Sequence, residues 1–208
     1  GTLNTSVEDQ VQLITSHFRQ NSLTINNQGR AVILPDGTDA ATSVLTSLTI
    51  NPGGTLDIND NALVLDYTGG SPAATIRTKV VEGRGGVGIG QGKWTGTGIT
   101  SSIAQQVNAT MPEARSVGYA ENALLPLGPY TTFRGRPVDD TSVLIAHTRT
   151  PDANLAPVVN DEDVTIVGAT YAPGVAQPDW ALGDFDYNGF VDDDDVTLLG
   201  AFYEPTAA

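Results

Sequence analysis

The chain contains no cysteine among its 208 residues. It can therefore form neither disulfide bonds nor thiolate metal sites, and any metal it binds must be held by other ligands. The absence does not identify a compartment, because many secreted bacterial proteins also lack cysteine.

Lysine and arginine are scarce, with 10 of them against 24 acids and a formal net charge of −14. Residues 151–208 hold 12 acids and no Lys or Arg, which leaves 12 acids and 10 bases in residues 1–150. Without a basic patch the chain cannot follow a phosphate backbone, so we expect no nucleic-acid partner. The acidic C-terminal segment repels itself unless cations neutralise it. No apolar run approaches the length of a membrane span.

The clearest chemical signal is the loop GDFDYNGFVDDDD, residues 183–195. Counted from its first aspartate, oxygen-bearing side chains fall at positions 1, 3, 5, 9 and 12, with glycine at position 6, which is an EF-hand-type order. Calcium prefers hard oxygen ligands, and a backbone carbonyl serves at position 7. An acidic surface turn is the alternative, but the apolar helical run that follows favours calcium. The predicted ligands are Asp184, Asp186, Asn188, the Phe190 carbonyl, Asp192 and Asp195.

The loop and its following segment occur twice. Residues 152–172 align without gaps onto residues 184–204, with VTIVGA opposite VTLLGA. A pair of loop-plus-helix units of this length resembles the dockerin module, in which two calcium loops each precede a helix. The resemblance covers residues 150–204 and implies a first site formed by Asp152, Asn154, the Val158 carbonyl, Asn160 and Asp163.

The first loop departs from the dockerin pattern at two positions. Ala156 stands where position 5 should supply an oxygen, and Pro157 replaces the turn glycine. We therefore expect the first site to be weaker or empty. For the second unit we predict a helix from about Asp193 to Phe202 with Val196 and Leu199 turned inward. The helices of the two units should pack as a pseudo-symmetric pair, with Val164, Ile166 and Val167 meeting Val196, Leu198 and Leu199. Removal of calcium should unfold this C-terminal module before the rest of the chain.

The N-terminal part has strand-like patterns and a second repeat. SLTINNQG at residues 22–29 recurs as SLTINPGG at residues 47–54, and such units are typical of β-solenoid rungs or of a β-sandwich. Residues 1–20 fit both a helical stripe and strand alternation, and as a strand they could pair within the chain or be exchanged with a neighbouring subunit. Short helices are predicted near residues 72–81 and 100–107. The predicted fold is a mainly β domain, residues 1–149, followed by an α dockerin-like module, residues 150–208.

Residues 45–205 resemble the closing part of large secreted bacterial surface proteins, in which repeat-built β-solenoids end in a dockerin-like module. The segment GKWTGTGITSS at residues 92–102 carries part of this resemblance. It implies an extracellular or cell-surface location, which the millimolar calcium outside cells also favours.

The sequence offers little that would support catalysis. His147 alternates with Val143 and Ile145 in a strand-like run, as a structural residue would, and the acids are accounted for by calcium. We therefore expect a non-catalytic, calcium-stabilised structural protein that self-assembles with its own copies into a fibre or surface layer. The alternative is a binding module for a cohesin-like partner or a surface glycan.

Overall fold

The computed structural model describes residues 3–205. Within them twelve strands form two open sheets and a short hairpin, and there are four α-helices. The strands are β1 Asn4–Val7, β2 Gln12–Thr15, β3 Arg19–Ile25, β4 Arg30–Ile33, β5 Ser43–Ile50, β6 Thr55–Asp57, β7 Ala62–Asp66, β8 Gly98–Thr100, β9 Arg115–Glu121, β10 Thr132–Phe133, β11 Arg136–Pro137 and β12 Ser142–Arg149. The helices are α1 Ala73–Arg84, α2 Ser102–Asn108, α3 Asp161–Thr170 and α4 Asp193–Phe202.

Successive strands from β1 to β8 alternate between the two sheets. The larger sheet has the order β1-β3-β5-β7-β12-β9, in which the first four strands are parallel and β12 joins antiparallel to both β7 and β9. The smaller sheet, β2-β4-β6-β8, is parallel throughout. Residues 4–7 and 12–15 thus form strands that pair within their own chain, so the helical interpretation of residues 1–20 is wrong. Exchange of this segment with a neighbour is not needed to complete the sheets.

The repeated motif stacks on itself in register. Leu23 pairs with Leu48 and Ile25 with Ile50, so equivalent residues of the two copies lie side by side on β3 and β5. At the following turn Asn51 Nδ2 donates to Asn26 Oδ1 at 2.9 Å. Like side chains stack because a parallel register places each repeat position directly over its equivalent. The sequence repeat is therefore a structural repeat.

The core lies between the two sheets and continues under the helices. Its fully buried aliphatic side chains come from strands of both sheets, and they include Leu23, Ile25, Ile33, Leu45, Leu56 and Leu63. Alternation along β3 and β4 directs Leu23, Ile25 and Ile33 inward, because successive residues of a strand point to opposite faces. Strands β6 and β7 are instead buried at successive positions, because they are covered on both faces.

The fold is mixed α/β rather than mainly β, with about 29% of the described residues in strands and about 24% in helices. The bounds of α1 and α2 overlap those of the two predicted short helices, near residues 72–81 and 100–107. Helix α1 packs on β8. The approach is close: a Cβ on Gly83 would lie 1.8 Å from the Ile99 carbonyl oxygen. Helices form a larger share than we predicted, in part because α1 continues to Arg84, beyond the predicted end at residue 81, and packs on β9 as well as β8.

The predicted boundary near residue 150 falls at the end of β12, but one hydrophobic core runs across it. Trp180 is fully buried and packs against Gly118 of β9, where an added Cβ would lie 2.6 Å from the indole Nε1. The indole N–H donates to the Asp152 carbonyl at 2.7 Å. The C-terminal segment thus covers β9, the last strand of the larger sheet.

The two sheets end differently on their two sides. The edge strands β8 and β9 are buried beneath helices and Trp180, whereas β1 and β2 are the opposite edges. Near them Leu3, Val11 and Ile14 are exposed at 72%, 49% and 54%. We call the edge formed by β1 and β2 the open end. None of the helices within residues 3–205 has the length and apolarity to cross a membrane.

Candidate metal centre

Three carboxylates converge at the second loop. Asp184, Asp186 and Asp195 are fully buried, and each offers a carboxylate oxygen within 4.8 Å of the others. They hold positions 1, 3 and 12 of the predicted calcium loop, so residues up to eleven positions apart meet in one cluster. We call these three residues the carboxylate trio.

Backbone N–H groups hold the trio in place. Asp195 accepts from Phe185 N at 2.8 Å through Oδ1 and from Asp192 N at 3.0 Å through Oδ2. Because Asp195 is the third residue of α4, this arrangement is a capping box that starts the helix. Gly189 has φ of 96° and donates its N–H to Asp184 Oδ1 at 3.1 Å, which closes the turn as the glycine at position 6 predicted. The helix bounds Asp193–Phe202 confirm the prediction.

The trio is electrostatically unfavourable without a cation. Burial raises the pKa of Asp195 to about 7 and that of Asp186 to about 6, and it also raises the pKa of Asp184. The neighbouring carboxylates contribute to these raised pKa values of Asp195 and Asp186, and backbone N–H donors oppose them. Such a cluster gains from a divalent cation, which neutralises the charges that burial penalises.

The remaining predicted ligands surround the trio. Asn188 Nδ2 lies 3.2 Å from Asp186 Oδ2 and 3.3 Å from Asp192 Oδ2, so these three side chains are adjacent. Phe190 follows at position 7, where its carbonyl stays a predicted ligand. All the groups that the loop offers are carboxylate, amide or carbonyl oxygens, the hard donors that calcium takes. The residues present therefore fit a calcium ion.

The first loop ends in a capping box at the start of α3, as the second loop does at α4, and its acids accept hydrogen bonds from nearby protein groups. Asp152 accepts from the Thr148 hydroxyl and from Ala156 N at 2.9 Å, and burial raises its pKa to about 7. Asp163 accepts from Ala153 N at 2.8 Å and from Asn160 N at 2.9 Å.

The other predicted ligands of the first loop do not form a comparable cluster. Asn154 Nδ2 donates to Glu162 Oε2 at 2.7 Å, and Val158 and Asn160 are only half-buried. Pro157 has φ of 37° in place of the turn glycine. Within residues 3–205 the carboxylate trio is the group of three or more acidic side chains placed closely enough to share a metal. A weak or empty first site stays a prediction.

Two aromatic side chains that alternate with the predicted ligands of the second loop point into the protein. The spacing of the ligands does not predict this orientation. Phe185 and Tyr187 are buried and pack on Trp180 with ring centroids 5.2 Å and 5.5 Å away. The Tyr187 hydroxyl donates to the Val117 carbonyl of β9 at 2.5 Å. The sequence contains one signal of this burial, namely aromatic residues at positions 2 and 4 of a polar loop. Large aromatic side chains are usually buried against other apolar groups.

A basic residue from α1 also reaches the site. Arg77 Nη2 donates to Asp184 Oδ2 and to the Tyr187 carbonyl, both at 3.1 Å. The glycine-rich run contributes a further contact, because Gly88 N donates to the Asp186 carbonyl at 2.8 Å. Neither contact could be inferred from spacing, because both join residues about a hundred positions apart.

The two repeat helices pack only partly as predicted. Ile166, Val167, Leu198 and Leu199 are buried, which confirms their inward orientation. Val164 and Val196 are 44% and 45% exposed, so their predicted inward orientation is wrong. They line a groove of about 400 Å³ between α3 and α4, together with Val167, Gly168, Tyr171, Asp193 and Leu199. The buried faces of α3 and α4 are those that carry Ile166, Val167, Leu198 and Leu199, so Val164 and Val196 are left at the surface.

No protein-family model, curated protein or solved structure matches this chain.

Proposed function

We propose that this protein is a non-catalytic, extracellular structural domain that calcium stabilises. In this proposal β1–β8 are the coils of a short β-solenoid, and the dockerin-like loop-helix pair closes one end of it. The observation that carries the proposal is the buried trio Asp184, Asp186 and Asp195, whose loop packs its aromatic side chains against β9. A metal bound there stabilises the sheet that the loop covers.

The calcium assignment is supported by the charge of the site. Three buried carboxylates and the neighbouring Asp192 lie together, and Arg77 forms a salt bridge with one of them, Asp184. Arg84 also opposes the rise that burial causes in the pKa of Asp184 and Asp186, but it is itself paired with Glu113. A divalent cation bound only by the folded loop stabilises the fold by mass action. Millimolar extracellular calcium suits such a site even if its affinity is modest.

Self-assembly is supported by the open end. The backbone groups on the outer side of β1 and β2 can accept a further strand, and exposed Leu3, Val11 and Ile14 would lie at the contact. The opposite edges, β8 and β9, are buried, so the open end cannot join to an equivalent edge at the other end of the same sheets. A fibre or layer therefore needs a second contact surface, for which the groove between α3 and α4 is exposed and apolar.

A non-catalytic role is supported by the surroundings of His147. Burial lowers its pKa to about 4, and its Nε2 has no hydrogen-bond partner among residues 3–205. A general base needs a pKa near the working pH and an orienting partner.

A binding module is the second candidate, and the groove between α3 and α4 favours it. Val164 and Val196 expose apolar surface on two neighbouring helices, and Tyr171 and Asp193 provide a polar rim joined by a 2.5 Å hydrogen bond. A cohesin-like protein or a surface glycan could dock there. Such a partner would bind a monomer, whereas the structural proposal requires assembly of the chain alone.

Titration of the full chain with calcium tests the metal site. We expect isothermal calorimetry to detect binding, and terbium at the same site to luminesce on excitation of nearby Trp180. Asp186→Asn should abolish both signals. Asp194→Asn is the matched control, because it removes the same charge from an exposed position of the same loop. Wild-type protein that binds no calcium would refute the proposal.

Electron microscopy and light scattering with calcium test the assembly. We expect particles larger than a monomer for the wild type and monomers for Ile14→Lys, which places a charge at the open end without entering the core. Val196→Lys tests the groove between α3 and α4 in the same way. A monomeric wild type at high concentration with calcium would refute self-assembly and favour the binding module.

A further inference from the structure

The cation that pairs with the acidic second loop lies on α1, far from the loop in the sequence. Residues 151–208 contain no Lys or Arg, and the salt bridge to the carboxylate trio comes from Arg77, 107 positions before Asp184. The Arg77 side chain is 24% exposed and that of Asp184 is fully buried, so the pair is partly shielded from water. Charges in such surroundings interact more strongly than on an open surface.

The same guanidinium also holds the backbone of the loop. Its Nη2 donates to the Tyr187 carbonyl as well as to Asp184 Oδ2, so it joins positions 1 and 4 of the loop to α1. The Tyr187 ring is fixed in turn by Trp180 and by its hydrogen bond to the Val117 carbonyl. These contacts use protein groups alone, and they hold the loop in its docked position before any metal binds.

We propose that Arg77 is a built-in counter-cation that stabilises the metal-free loop and lowers its affinity for calcium. The inference rests on the proposed calcium site and adds a residue that sets its affinity. Arg77 and the metal compete for the negative charge of Asp184. The loop therefore stays folded and docked when calcium is low, and it fills only when calcium is abundant.

The expected size of the effect follows from Coulomb's law. A dication that shares Asp184 with Arg77 would lie about 6 Å from the guanidinium, given ordinary contact distances. Even at the dielectric constant of water, the repulsion between charges of +2 and +1 at that distance weakens binding about tenfold. Partial burial of the pair increases the effect.

A purely supporting role for Arg77 predicts the opposite result. If the guanidinium only oriented Asp184 for the metal, its removal would weaken calcium binding. If it acts as a counter-cation, its removal strengthens calcium binding and lowers the stability of the metal-free protein. The sign of the change in affinity therefore separates the two roles.

The test compares the full-length wild type with Arg77→Gln, Arg77→Lys and Lys79→Gln, titrated with calcium chloride. Lys79→Gln is the matched control, because it removes one positive charge from the same helix at a side chain that pairs with Glu82. We expect Arg77→Gln to bind calcium at least about tenfold more tightly and to melt at a lower temperature without calcium. Arg77→Lys should stay closer to the wild type, and Lys79→Gln should bind within about twofold of it.

The calcium dissociation rate, measured by rapid mixing of the loaded proteins with a chelating indicator, gives a second readout that does not require a folded metal-free variant. Loss of repulsion should slow dissociation from Arg77→Gln about tenfold. Unchanged or faster dissociation would overturn the inference, as would an unchanged melting temperature without calcium. A wild type that binds no calcium would overturn the proposed function itself, whereas binding that Arg77→Gln does not strengthen would overturn only the role of Arg77.

Discussion

Replacing Asp186 by Asn should have opposite effects with and without calcium. Asp186 is fully buried, and burial and the neighbouring Asp184 raise its pKa from 3.8 to about 6. Its ionised form is therefore less favourable in the folded protein than in the unfolded chain. Asparagine has nearly the same shape and carries no charge, so it removes this penalty. It also removes a ligand from the proposed calcium site.

The magnitude follows from the pKa. A folded-state value of about 6 in place of 3.8 corresponds to about 3 kcal/mol at pH 8, where Asp186 is ionised in both states. Without calcium, Asp186→Asn should be more stable than the wild type by up to about this amount. The difference should shrink as the pH falls through 6 towards 4, because the folded wild type then takes up the proton and loses the penalty. With saturating calcium the order should reverse, since only the wild type gains from metal binding.

Urea unfolding followed by the fluorescence of buried Trp94 and Trp180 measures these differences. It would be run in calcium-free buffer at pH 8, 6 and 4, and again with saturating calcium at pH 8. Asp194→Asn serves as the control for net charge. An Asp186→Asn variant that is less stable than the wild type at pH 8 without calcium would refute the electrostatic reasoning. Equal gains from calcium in both proteins would refute the ligand assignment.

Three further predictions concern the contact between the loop and β9. Gly118→Val should destabilise the protein by about 3 kcal/mol or more in urea unfolding, because Trp180 and Leu155 leave no room for a side chain; a tolerated valine would contradict this packing. Tyr187→Phe should cost about 1–2 kcal/mol through loss of the hydrogen bond to the Val117 carbonyl, with calcium affinity in calorimetry unchanged within about twofold. Calcium removal should lower the melting temperature of a single cooperative transition, because one hydrophobic core spans the predicted boundary. Melting curves followed by far-ultraviolet and by tryptophan circular dichroism should then coincide. Two separate transitions would favour the independent module expected from the sequence.

The local features of the site could be predicted from the sequence. The spacing of the carboxylate trio, the turn at Gly189 and the start of α4 depend on residues within twelve positions of one another, so the one-dimensional pattern contains them. The repeat was equally readable, because residues 22–25 and 47–50 pair in register with their own copies. The departures at Ala156 and Pro157 indicated correctly that the first loop differs from the second.

Contacts between distant segments could not be predicted in this way. Arg77 meets Asp184 and Tyr187 meets Val117, and no local period encodes these meetings. The ambiguity of residues 1–20 had the same origin, since helix and strand patterns both fitted until pairing with β3 and β4 decided between them. The exposure of Val164 and Val196 depends on which faces of α3 and α4 are packed against the rest of the protein, which their amphipathic patterns leave open.

The sequence by itself determined that an oxygen-lined loop precedes a helix, because ligand spacing and capping are short-range chemistry. Only the tertiary structure decided that this loop is buried against β9 and that Arg77 supplies its counter-charge. Burial and the pairing of charges depend on which surfaces meet, and that is settled by packing over the whole chain.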